Sequence, residues 1–259
     1  MSSLLEEIVL TKRQELETLT GSPERFREAQ PLATPFQFED SLRRPAGSPL
    51  RVIAECKKAS PSRGLIRADY DSLQIASQYR DCGAAALSIL TDSRFFQGSL
   101  EDMVRARQAG LPVLRKDFVI SELQIQEARQ AGADAILLIV RILSDQQLGD
   151  FLAEAERWGM SALVEIHNRA EAERAVAAGA RLIGVNHRDL DTLEMNLNLT
   201  GEIAPWIRKQ NPRAVLIAES GVESPEGRRQ MEPQADGRLI GTALMESADI
   251  PARWRSIFA

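Results

Sequence analysis

Glu55 and Lys57 stand two residues apart at the end of the apolar run Val52–Cys56, ahead of Ser60-Pro61-Ser62-Arg63-Gly64. In a strand, positions i and i+2 share a face, so a carboxylate and an ammonium project together from the end of a buried strand. Taken alone this could be a solvated ion pair. The pattern recurs, however: apolar runs end in Lys116-Asp117, in Glu165 with His167, in Asn186 with Arg188, in Glu219-Ser220-Gly221 and in Gly241-Thr242. Lysines and glutamates that converge on one opening perturb each other's protonation, the condition for proton transfer. Ser220-Gly221 and Gly241-Thr242 offer small residues that let a phosphate approach backbone amides, with Ser60 and Lys57 as further donors.

Metal and triad chemistry find less support. The two histidines, His167 and His187, lie on different strands and lack ligand spacing, so each reads as a packing or supporting residue. No serine has a histidine placed as its base. Cys56 and Cys82, the only cysteines, have no metal or redox spacing, which suits a reducing compartment.

The elements that position these groups repeat. Polar helices end in a glycine, at Gly83, Gly110, Gly132, Gly159 and Gly179, and a short apolar strand follows each. The expected strands are Val52–Cys56, Ala86–Leu90, Val113–Lys116, Ala135–Val140, Ala162–Glu165, Leu182–Asn186, Val215–Ala218 and Leu239–Ile240. Helices are expected at Leu73–Asp81, Leu100–Ala109, Glu122–Ala131, Asp145–Trp158, Ala170–Ala178, Leu199–Gln210 and Pro225–Met231, with Ser99, Ser121, Ser144 and Ser224 as caps. Continuous apolar strands alternating with helices predict a parallel sheet buried on both faces. Eight units without a Gly-x-Gly-x-x-Gly turn favour a closed (β/α)8 TIM barrel over an open sheet, with its active site at the C-terminal strand ends. The whole chain, 1–259, reads as one such domain. Residues 1–48 form an N-terminal helical extension packed on it, beginning with an amphipathic helix over Leu4–Leu19.

A hydrophobic fraction of 44%, a charged fraction of 27% and a net charge of −5 describe a soluble globular chain and argue against a nucleic-acid or anionic-membrane partner. The N-terminus lacks a signal-peptide core, and the run Ala135–Val140 is too short to span a bilayer. A cytoplasmic location follows.

The runs Ile53-Ala54-Glu55-Cys56-Lys57-Lys58-Ala59-Ser60-Pro61-Ser62, Val113-Leu114-Arg115-Lys116-Asp117-Phe118, Leu163-Val164-Glu165-Ile166-His167, Ile183-Gly184-Val185-Asn186-His187-Arg188 and Ala218-Glu219-Ser220-Gly221-Val222 resemble the indole-3-glycerol phosphate synthase family. The likeness extends from about residue 4 to about residue 247 and includes the N-terminal extension. It implies ring closure of a phosphorylated carboxyphenylamino sugar with loss of carbon dioxide and water, and needs no metal or organic cofactor. On this resemblance Lys116 is the acid for ring closure, Lys57 meets the substrate carboxylate and donates a proton, and Glu165 is the base for dehydration. Glu55, Asn186, Glu219 and Ser220 complete the catalytic set. Arg188 adds charge near the anthranilate end, and Phe118, Leu190 and Ile240 wall the ring. Ser60, Gly221, Gly241 and Thr242 are the remaining substrate contacts, and a bulky residue at Gly241 is expected to raise KM. His187 departs from the asparagine usual in the family, with pH dependence as its expected consequence. The competing readings are an Amadori-type sugar-phosphate isomerase barrel and a barrel that binds its ligand without turnover. A monomer, or a weak homodimer, is expected.

Overall fold

The computed structural model describes residues 3–20, 30–31, 34–190, 192–221 and 234–258. The helix expected over Pro225–Met231, with its cap Ser224, lies outside the described residues.

Eight parallel strands close into a barrel: β1 (Arg51–Cys56), β2 (Ala86–Leu90), β3 (Val113–Lys116), β4 (Ala135–Ile139), β5 (Ser161–Ile166), β6 (Leu182–Asn186), β7 (Val215–Glu219) and β8 (Gly237–Ile240), with β1 bonded to both β2 and β8. Six of the expected strand ends shift, all but one by a single residue, and two of the shifts have a visible cause. Val140 leaves the fourth strand for a 3-10 turn, Val140–Ile142. The last strand starts two residues early, because Arg238 is buried within it and its guanidinium sits 5.2 Å from the Phe258 ring centroid. A polar residue inside a strand hid that start.

The helix ends are as the glycines require. Gly83, Gly110, Gly132, Gly159 and Gly179 all take positive φ, the left-handed conformation that turns the chain back toward the sheet. Ser99, Ser121 and Ser144 accept first-turn amides as caps, and Ser144 with Gln147 completes a capping box.

Side chains alternate between two cores. Ala54, Cys56, Leu138, Val164 and Val185 face the surrounding helices. Ile53, Leu114, Leu137, Leu163, Leu182 and Ile217 fill the barrel interior. Two residues further along their strands, the interior series becomes Glu55 after Ile53, Lys116 after Leu114, Glu165 after Leu163 and Glu219 after Ile217. The period of two that builds the core therefore also delivers the polar groups to the mouth.

The N-terminal extension serves both ends of this interior. Helix α1 (Leu4–Thr20) places Leu5 and Ile8 over the mouth, while α2 (Gln37–Leu42) inserts Phe38 and Leu42 at the strand starts. The backbone N–H of Glu39 donates to Ser161 Oγ, and its carboxylate pairs with Arg181, each at or just before the start of a strand. Among the described residues no helix is long and apolar enough to cross a membrane.

Candidate active site

A cavity opens at the C-terminal strand ends, and every site residue expected from the sequence lines it: Glu55, Lys57, Ser60, Lys116, Phe118, Glu165, Asn186, Arg188, Leu190, Glu219, Ser220, Gly221, Ile240, Gly241 and Thr242. Sequence reasoning had not placed Leu5 and Ile8 of α1, Phe96, or Leu137 and Ile139 of the barrel interior in its wall. Phe96 and Phe118 stack with ring centroids 6.2 Å apart, an apolar side suited to an aromatic substrate.

Charges at the mouth are paired, across strands and within one strand end. Lys116 Nζ lies 3.2 Å from Glu165 Oε2, and Lys57 Nζ lies 2.7 Å from Glu55 Oε1. Asn186 Nδ2 donates to Glu165 Oε1 at 3.1 Å. Ser220, in the left-handed region at φ 67°, donates its hydroxyl to Asn186 Oδ1 at 2.8 Å. Its hydroxyl thus braces Asn186, leaving its backbone to face the cavity.

Environment sets the protonation states. Burial opposes the charge on Lys116, but the carboxylates around it, Glu165 foremost, outweigh burial and hold its pKa above the ordinary lysine value. Burial likewise opposes the charge on Glu165, yet Lys116, His167 and Asn186 hold it well below the ordinary carboxylate range. Glu219 goes the other way. Burial, then the negative charges of Glu165 and Glu55, push its pKa well up and favour its protonated, donating form. The mouth thus sets a lysine held in its charged form and a glutamate held ionised beside a carboxyl shifted the opposite way.

Two glycines create room for this arrangement, and only one was singled out from the sequence. A Cβ on Gly184, the register partner of Glu165, would fall 1.8 Å from Glu219 Oε1. A Cβ on Gly241 would fall 2.4 Å from Glu55 Oε1. A substitution at Gly241 therefore reaches the Glu55–Lys57 pair as well as any ligand near the backbone. Gly241→Ala is expected to lower kcat and raise KM together, by about tenfold each; steady-state kinetics in which KM alone rises would show that Glu55 moves aside harmlessly.

His187 stands outside the cavity lining. Its Nδ1 lies 2.6 Å from the Glu219 carbonyl oxygen and its Nε2 lies 2.8 Å from Thr200 Oγ1. Burial lowers its pKa, so it is neutral at physiological pH and its contacts are structural.

Comparison with known proteins agrees with this geometry. The family model for indole-3-glycerol phosphate synthase matches residues 5–257. Among curated relatives, the indole-3-glycerol phosphate synthase of Leptospira interrogans is 42% identical over 98% of this chain and 97% of its own length. That of Chloroherpeton thalassium is 45% identical over 96% of each chain, and that of Aquifex aeolicus is 43% identical over 94% of each. Among solved structures, a mandelate oxidase mutant superposes with a TM-score of 0.62 at 16% identity, over 88% of this chain and 79% of that one. That likeness speaks for the barrel alone.

Proposed function

We propose a division of labour for this chain, which belongs to the indole-3-glycerol phosphate synthase family and converts 1-(2-carboxyphenylamino)-1-deoxyribulose 5-phosphate to indole-3-glycerol phosphate. Lys116 is the general acid for ring closure, protonating the ketone oxygen as the aromatic carbon attacks it. Loss of carbon dioxide then restores the aromatic ring without an electron-sink cofactor. Glu165 takes a proton in the dehydration that follows, and Lys57 protonates the departing hydroxyl. Glu55, Asn186, Glu219 and Ser220 orient these groups and the substrate hydroxyls. Lys57 also meets the substrate carboxylate, Arg188 adds positive charge near the anthranilate end, and Phe118, Leu190 and Ile240 enclose the ring. The phosphate lies against the backbone at Ser220-Gly221 and Gly241-Thr242, within reach of Ser60.

The observation that carries this reading is the Lys116–Glu165 pair, 3.2 Å apart, whose surroundings leave the first protonated and the second ionised. Lys116 keeps its proton until an alkoxide, a stronger base than any amine, develops beside it. Free cysteines, with Cys56 buried, support a cytoplasmic setting.

Rapid-quench mass spectrometry on Glu165→Gln tests the assignment. Overall turnover is expected to fall about 10²-fold, with accumulation of a species that has lost carbon dioxide but retained the hydroxyl. Lys116→Met should accumulate none, because it stops earlier. The reverse pattern would exchange the two roles.

A further inference from the structure

His167 is a buried ionisable group at the mouth that takes no part in these steps and does not line the cavity. It follows Glu165 by two residues, so the two side chains leave the chain on the same side. Its Nε2 lies 3.2 Å from Glu165 Oε1, an ion pair off the line of a good hydrogen bond, and its Nδ1 lies 3.1 Å from Glu171 Oε2. Glu171, on the helix Arg169–Ala177, also accepts the backbone N–H of His167 at 2.8 Å. Its other oxygen lies 3.1 Å from Arg141, which in turn reaches Asp189 at 3.1 Å.

An imidazole with a carboxylate oxygen about 3 Å from each nitrogen satisfies both only when both nitrogens carry protons. A neutral ring would aim a lone pair at one carboxylate among buried side chains. Charges on every other side of Glu165 are accounted for. Lys116 approaches from β3, Glu219 from β7 and Glu55 from β1, while Glu171 and Arg141 stand behind His167.

We propose that His167 is a positioning residue for the reaction: an imidazolium braced by Glu171 that keeps Glu165 ionised and aimed between Lys116 and Asn186. The inference rests on the role of Glu165 proposed above. Lys116 alone cannot maintain that ionisation, because it becomes neutral on giving its proton to the alkoxide. At that moment Glu165, buried and close to two other carboxyl groups, would take up a proton and lose its basicity. A fixed positive charge from a group that does not react prevents this.

Burial opposes the charge on His167, but its contacts to Glu165 and Glu171 outweigh burial and raise its pKa to about 9. The sign follows: a raised histidine pKa contributes fully below the unfolded value of 6.5 and is lost as pH rises through about 9.

The chain has only two histidines, so imidazole 15N NMR resolves them without ambiguity. One resonance is expected to titrate near pH 9 and to vanish in His167→Gln. In Glu165→Gln its midpoint should fall by about one pH unit. In His167→Gln the acid limb of the kcat profile should rise by about one pH unit, with KM within a few-fold of the parent. A His167 midpoint at or below the ordinary histidine value would overturn the proposal, as would an acid limb that stays in place. Should His167→Gln fail to fold, the wild-type and Glu165→Gln titrations decide the matter. Full turnover in Glu165→Gln would overturn the base assignment and this inference together. An inactive Glu165→Gln with an unmoved His167 midpoint would overturn this inference alone.

Discussion

Lys116→Met is expected to lower kcat by about 10²–10⁴-fold, the range lost when a positioned general acid is removed. Affinity for the product should stay within about tenfold, because phosphate and ring contacts do not involve the ammonium. The competing explanation is structural: Lys116 neutralises Glu165 at 3.2 Å, so its loss could act through stability. The surroundings argue against a large stability effect. Glu165 keeps His167 at 3.2 Å and the Asn186 amide at 3.1 Å, so its charge is not left bare. Methionine fills nearly the same space as the lysine stem. Measuring kcat and melting temperature on one preparation separates the two explanations. Near-native kcat with a lowered melting temperature would remove Lys116 from the chemistry.

Lys116 was legible in the sequence for the same reason that the barrel was. An apolar strand buried on both faces carries charge most readily near its end, so Glu55, Lys116, Glu165 and Glu219 mark strand ends and candidate functional groups at once. Glycine after five of the helices marks the other boundary, since there the chain takes a left-handed residue to turn back. What the sequence did not yield depends on contacts between distant elements. Gly184 looks like an ordinary weak point in β6; its purpose appears only when Glu219 from the next strand fills the missing Cβ's place. Ser220 reads as a free phosphate donor until Asn186 is seen to take its hydroxyl. His187 sits beside the candidate site residue Asn186 in the chain, but its ring turns toward Thr200. The extension was expected to pack on the barrel, yet periodicity alone could not say that its two helices would close opposite ends.

Lys12 is the clearest case of a residue that sequence pattern assigns to solvent and tertiary pairing buries. On an amphipathic helix it reads as part of the wet face; in the fold its side chain is 2% exposed. Its Nζ lies 2.7 Å from Asp92 Oδ2, 3.0 Å from Asp117 Oδ1 and 2.9 Å from Glu15 Oε2. Asp117 follows the proposed acid Lys116 directly, accepts from Thr91 at 2.6 Å and pairs with Arg115 at 3.2 Å. Burial opposes the Lys12 charge, but Asp117 and Asp92 outweigh it and raise its pKa. Burial also opposes the Asp117 charge, but Arg115 and Lys12 outweigh it and lower its pKa.

Lys12→Met removes the cation and leaves two buried carboxylates facing an apolar side chain. Breaking a buried pair from one side typically costs about 3–5 kcal/mol, and a loss of that size in urea unfolding is expected at pH 7. Because α1 also carries Leu5 and Ile8 over the cavity, KM should rise with it, and amide exchange across Leu4–Thr20 should quicken. The pH dependence supplies an independent check. A lowered aspartate pKa contributes stability above the unfolded value of 3.8 and loses it as pH falls through the lower folded value. In the variant Asp117 lacks Lys12, its folded pKa climbs, and acidification removes less. The stability gap between parent and variant should therefore narrow as pH drops below about 4. A gap of the same size at pH 7 and pH 3 would mean that Lys12 acts through packing alone. An unchanged urea midpoint together with an unchanged KM would mean that this buried ammonium ties nothing to the mouth.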